Sequence, residues 1–379
     1  MEQRRLKSHS HWYHETQTTL TARAEPLVPE AAEIEDRFLL GLATLCEGAL
    51  RQALQEAQPA LLASRDLYQL LFPSSLTPSL THTLTLYDRL STALTVAQVT
   101  GVQRLCNHYA ARLNPLSGPD SSRESNRRLT QITEYARQLA MQPTLIDRAA
   151  LLRLDEAGLS APDIITFSQI IGFVCYQARV AAGLHALLAL PVRWMPGVTV
   201  PSDADEHCFN DNADWQPRLS PVELRYASPS QLAALTFCQP QQALSRSAWL
   251  LAHDGETLYG WGQLINVLDE KAATPEGQLA AAVAARINGS PVCFNRYAPE
   301  ALRAGLKTNV EEAGKNAGAA ERAVMQAAAQ LTRSPERFSA AHLQPLEAEG
   351  FSLQQKLNVI FSTALASWAN RLMQSLGES

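Results

Sequence analysis

The 379-residue sequence predicts an all-α protein built from two tandem helical bundle units joined by an irregular linker. Three observations support this. Ala and Leu dominate and β-branched runs are scarce, which favours helix over sheet. Pro and Gly punctuate the chain at helix-length intervals. Residues 134–184 overlay 326–376 without a gap, pairing Leu139 with Leu331, Pro143 with Pro335, Leu154 with Leu346, Gly158 with Gly350, Ser160 with Ser352 and Arg179 with Arg371. Tyr176 meets Trp368 in the same register.

Taken in order, residues 1–30 read as a polar tail in which His9, His11 and His14 have the spacing of a stray metal site or, more simply, of a solvated segment. The first unit spans 31–190 and opens on a helix over 31–57. A helix over 84–99 is stopped by Gly101, one over 127–140 is halted before Pro143, and one over 146–156 is closed by Gly158. A last helix, 161–190, is capped by Ser160 and is apolar on nearly every side, as befits the centre of a bundle. Residues 191–229 are rich in Pro, Asp and Asn and read as the linker.

The second unit, 230–379, repeats this order. It opens on a helix over 230–252. Further helices cover 278–287 (stopped by Gly289), 320–331 (halted before Pro335), 338–349 (closed by Gly350) and 353–376 (capped by Ser352). Arg179 and Arg371, placed in apolar helices, must each find a partner and suggest a structural ion pair or a subunit contact.

Composition narrows the function. A net charge of −5 argues against electrostatic nucleic-acid binding. The longest uncharged apolar stretch, Ile164–Ala178, falls short of the roughly 20 residues a membrane span needs. No apolar leader follows Met1, so a cytoplasmic protein is expected. The six cysteines form no C-x-x-C pair, which points to free thiols rather than zinc. No cofactor or metal is expected.

The chemistry concentrates in Asn288-Gly289-Ser290-Pro291-Val292-Cys293-Phe294-Asn295-Arg296-Tyr297. Gly289 ends one helix, Ser290 is placed to cap the next, and Pro291 suits its first position. Cys293 then lies in the first turn, where backbone N–H groups favour a thiolate, with Arg296 and Tyr297 one turn on.

This stretch resembles the active-site segment of the AhpD-like alkylhydroperoxidase and carboxymuconolactone decarboxylase superfamily, and Trp368–Met373 resembles the end of its peroxidase-related subgroup. The likeness covers both units. It implies an all-helical bundle, a homodimer or homotrimer, and thiol-dependent peroxide reduction with an external thiol reductant. In that family a relay glutamate precedes an N-x-C-x-x-C-x-x-x-H segment. The attacking thiol falls on Cys293, the resolving thiol on Ser290, the relay histidine on Tyr297 and the relay glutamate on Gln278, with Glu276 two residues away. In the first unit Cys106 and His108 sit one residue off register and Asp88 matches Glu276, so that site is expected to be degenerate. Two alternatives stand beside peroxide reduction: an inactive helical oligomer that binds a small ligand, and a decarboxylase-like enzyme.

Overall fold

The computed structural model describes residues 34–191, 200–209 and 214–378, apart from the side chains of 269–272. The histidines at positions 9, 11 and 14 lie outside the described residues, as does the whole of the expected tail. The fold is all-α, with one two-residue strand pair.

The helix expected over 31–57 is broken in its described part. Leu40, Gly41 and Gly48 adopt positive φ (55, 77 and 52°), which a right-handed helix cannot contain. The chain passes through a 3₁₀ turn at Leu42–Leu45 into α1 (Gly48–Glu56) and α2 (Gln58–Leu71). Next come α3 (Leu86–Thr100), α4 (Gln103–Leu113), α5 (Arg123–Met141), α6 (Arg148–Glu156) and α7 (Ala161–Leu187).

Their ends follow local chemistry. Thr85 and Asp88 form a reciprocal capping box at the start of α3, and Gly101 closes it at φ 72°. Ser160 and Asp163 do the same for α7. Asp163 is buried and also accepts from Thr83 N at 2.7 Å, Thr83 Oγ1 at 2.7 Å and Leu84 N at 3.2 Å, tying the entry to α3 onto α7.

The helix expected over 230–252 is split as well, into α8 (Pro229–Cys238) and α9 (Ala248–Leu251). After these come α10 (Gly255–Ala272), α11 (Pro275–Asn288), α12 (Pro291–Tyr297), α13 (Glu300–Thr308), α14 (Val310–Asn316), α15 (Ala319–Arg333), α16 (Ala340–Ala348) and α17 (Leu353–Leu376). The 3₁₀ turns Pro143–Leu145 and Pro335–Arg337, α6 and α16, and the starts of α7 and α17 all recur 192 residues apart. Gly101 and Gly289 are both left-handed, as are Gly158 and Gly350.

At the centre, α7 lies along α17, with α3 and α5 flanking one and α11 and α15 the other. By length and apolarity α7 could cross a bilayer, yet it is almost wholly enclosed by the bundle. Each large apolar side chain it buries contributes about 1.5–3 kcal/mol.

The interior does not divide at the linker. Leu235, Cys238, Trp261 and Leu264 share one continuous core with residues 38–184, because α10 packs on α2 and Trp261 meets Trp368 at a ring separation of 3.8 Å. Within the linker region, Gln216–Pro217 pair antiparallel with Gly377–Glu378, and Trp215 Nε1 donates to the Met373 carbonyl at 2.9 Å.

Candidate functional site around Cys293

The loop into α12 is held from three sides. Gly289 ends α11 in the left-handed region at φ 78°, where a side chain would also collide with Thr144. The Gly289 carbonyl accepts from Gln374 of α17. Arg286, one turn earlier, donates to the carbonyls of Ala204 (2.6 Å), Lys307 (3.0 Å) and Thr308 (2.6 Å) while stacking on Phe209. Pro291 takes the first helical position as expected. Ser290 does not cap with its side chain: its φ and ψ of −101 and 98° are extended, and its Oγ is buried without a hydrogen bond of normal length among the described residues.

Cys293 lies in the first turn, and only 7% of its surface is exposed. Burial pushes its thiol up. The Ser290 hydroxyl and the Arg296 charge favour the thiolate but do not cancel that effect. The expectation of a thiolate favoured by the helix start therefore needs correction. α12 is a single short helix of seven residues, and removal of the sulfur from water is the largest influence on its thiol.

Cys293, Gln278 and Tyr297, which are far apart in chemistry but matched to one motif, border a single cavity of about 770 Å³. Arg246, Asn295 and Arg296 add polar groups to its wall, and the Arg296 guanidinium lies 5.3 Å from the centre of the Tyr297 ring. Trp261, Ile265, Leu365, Leu372 and Met373 form its apolar wall, and Ser245, Ser247 and Ser362 also border it. Ser290 sits behind Cys293, fully buried and outside that lining. Glu276 is half-buried in the first turn of α11, where a carboxylate suits the helix start, and it does not border the cavity. Among the described lining residues there is no carboxylate and no imidazole.

Arg246 and Trp261 come from the α8–α10 region, which local sequence did not connect with Cys293. No short-range pattern marks them, because the fold brings them in across α17.

The corresponding residues of the first unit are occupied structurally. Cys106 is buried and its thiol is pushed up to about 12 by loss of water. His108 Nε2 is 2.6 Å from Tyr68 Oη, which also accepts from Arg112 at 2.6 Å. Asp88 accepts from Thr85 N at 3.0 Å as a helix cap and lies 3.5 Å from Arg128.

Arg179 and Arg371 also differ from expectation: among the described residues neither is in an ion pair. Each donates instead to a carbonyl in the last turn of a helix from the other half, Arg179 to Thr332 and Arg371 to Ala140, both at 2.6 Å. Such carbonyls have no partner within their own helix, so a buried guanidinium supplies one.

No protein-family model matches the chain, and no curated protein matches it either.

Proposed function

We propose that the chain reduces peroxides slowly through Cys293, as the resemblance to AhpD-like proteins implies. One observation carries this reading: the Cys293 sulfur borders a cavity large enough for an organic hydroperoxide, with Ser290 and Arg296 both favouring its anion. The thiolate attacks the distal peroxide oxygen, the O–O bond breaks, and the sulfur becomes a sulfenic acid while the departing alkoxide takes a proton. Ser290 cannot resolve that sulfenic acid. An external thiol condenses with it, releasing water, and a second thiol frees Cys293 as a disulfide departs.

With no carboxylate or imidazole among the described lining residues, those residues do not supply the general acid–base help that is worth about 10²–10⁴-fold. Decarboxylation is disfavoured for the same reason. Action as a cytoplasmic homodimer or homotrimer, without a cofactor, belongs to this proposal.

The test is sulfenic-acid trapping with dimedone at low hydroperoxide, together with peroxide consumption driven by a small dithiol. Trapping at Cys293 and turnover abolished by Cys293→Ser support the reading. An unmodified Cys293 under excess peroxide overturns it.

The raised thiol favours a second reading, a binding protein for small apolar carboxylates held by Arg246 and Arg296. In that case Cys293→Ser retains full affinity, measured calorimetrically with a medium-chain fatty acid, and Arg246→Ala loses it.

A further inference from the structure

A second, smaller cavity of about 40 Å³ lies where the two halves meet. Its wall pairs residues that correspond between the halves: Val99 with Ile287, Thr100 with Asn288, and Arg179 with Arg371. Both arginines are almost completely buried, at 3% and 1% exposure.

Their nitrogens are only partly used. Arg179 Nη1 donates to the Cys175 carbonyl at 3.0 Å and Arg371 Nη1 to the Ser367 carbonyl at 2.8 Å, each within its own helix. The Nη2 groups take the helix-end carbonyls described above. The Nε of each arginine is buried with no partner among the described residues, and so is Asn288 Nδ2.

Two like charges buried around one small space are costly unless something of opposite sign is near. Glu336 also borders the cavity and offsets part of the charge of Arg179, but burial pushes its carboxyl up and its Oε1 lies 3.3 Å from Arg337, so it is shared with a third guanidinium. Arg333, at the same wall, already has Asp203 at 2.5 Å and Glu311 at 3.2 Å. The two helix-end carbonyls offset part of the positive charge, leaving three unused N–H donors around a space that admits about two or three water-sized bodies.

We propose that this cavity binds a small inorganic monovalent anion of halide or nitrate size, held between Arg179 and Arg371 with Asn288 as a third donor. The anion links the two halves of the chain, since each arginine comes from one half and is hydrogen-bonded to the other. A phosphorylated metabolite is too large for the space.

The full chain tests this in chloride-free gluconate buffer at constant ionic strength. Sodium bromide should raise the thermal midpoint saturably, and a crystal grown in bromide should show an anomalous peak between the two guanidinium groups. Asn288→Ala removes one neutral donor to an anion and should raise the half-saturating bromide concentration about tenfold. That substitution leaves both arginines and their helix-end carbonyl bonds in place, so the far-ultraviolet circular dichroism of the variant should match that of the unsubstituted chain. A non-saturable response identical to that of gluconate, or a cavity holding only ordered water in bromide crystals, overturns the proposal.

Discussion

Gly172 lies directly against the Trp368 indole, so that a methyl group at residue 172 would overlap the ring at Cδ1 and Nε1. Eleven residues on, Gly183 meets Ile360 in the same way. These two close approaches let α7 and α17 run side by side through the centre of the fold, with Trp368 also packed against Phe173, Tyr176 and Trp261.

Gly172→Ala should therefore destabilise the protein by about 1–3 kcal/mol through overpacking, although alanine is the better helix former. Gly314, in α14, has open space around it, and Gly314→Ala should stabilise by about 0.5–1 kcal/mol. Chemical denaturation of the two variants checks the pair, and the same sign for both would refute the packing argument.

Modification of Cys293 should be slow at neutral pH and accelerate steeply with alkalinity, because burial holds the sulfur as a thiol and only the thiolate reacts. Arg296→Met removes a charge that favours the anion and should push the rise to still higher pH. Half-buried Cys208 needs replacement by Ser beforehand, since it is the most accessible described thiol. Bromobimane labelling followed by mass spectrometry gives the profile. The sign for stability follows from the same shift. With the folded value above the unfolded one, the contribution is complete below about pH 8.5 and is lost as pH rises through the folded value. A pH-independent labelling rate between pH 7 and 9 would contradict this.

Asp163 accepts four hydrogen bonds of 2.7–3.2 Å from backbone and hydroxyl groups at the α3 and α7 entries. Asp163→Ala leaves buried donors unsatisfied and should cost about 3 kcal/mol. Asp163→Asn, which keeps the shape and some acceptor capacity, should cost less. Thermal melts rank the two.

Tyr68→Phe removes the hydroxyl shared by His108 and Arg112 and should destabilise by about 1–3 kcal/mol. Peroxide consumption should be unchanged, since Cys106 and His108 serve packing. Loss of turnover in this variant without loss of folding would assign chemistry to the first half.

Much of the architecture was legible residue by residue. Gly101, Gly158, Gly289 and Gly350 end helices because each stands at positive φ. Pro143 and Pro335 stop the helices before them, and Ser160 and Ser352 cap those that follow. The missed breaks near Leu40 and after Cys238, and the unforeseen α10, do carry local marks that the repeat register passed over: Gly41 at positive φ, Pro240 two residues after Cys238, and Asp254, which accepts from Thr257 N at 3.1 Å at the start of α10. Of the site, the three residues aligned to the motif, Cys293, Gln278 and Tyr297, border one cavity. Ser290 occupies the N-cap position without a side-chain capping bond, and Glu276, two residues from Gln278, does not border that cavity.

Helix identity, boundaries and the doubled order of elements thus arise from chemistry acting over a turn or two, where a missing N–H, a left-handed glycine or a capping hydroxyl acts on its immediate neighbours. Long-range packing settled the rest. It placed Arg179 on Thr332 and Arg371 on Ala140, put α10 into the core with α2, and surrounded the Cys293 sulfur so closely that loss of water outweighs the help of Ser290 and Arg296. Desolvation and close packing depend on which distant surfaces meet, and a one-dimensional pattern of apolar residues fits many such meetings.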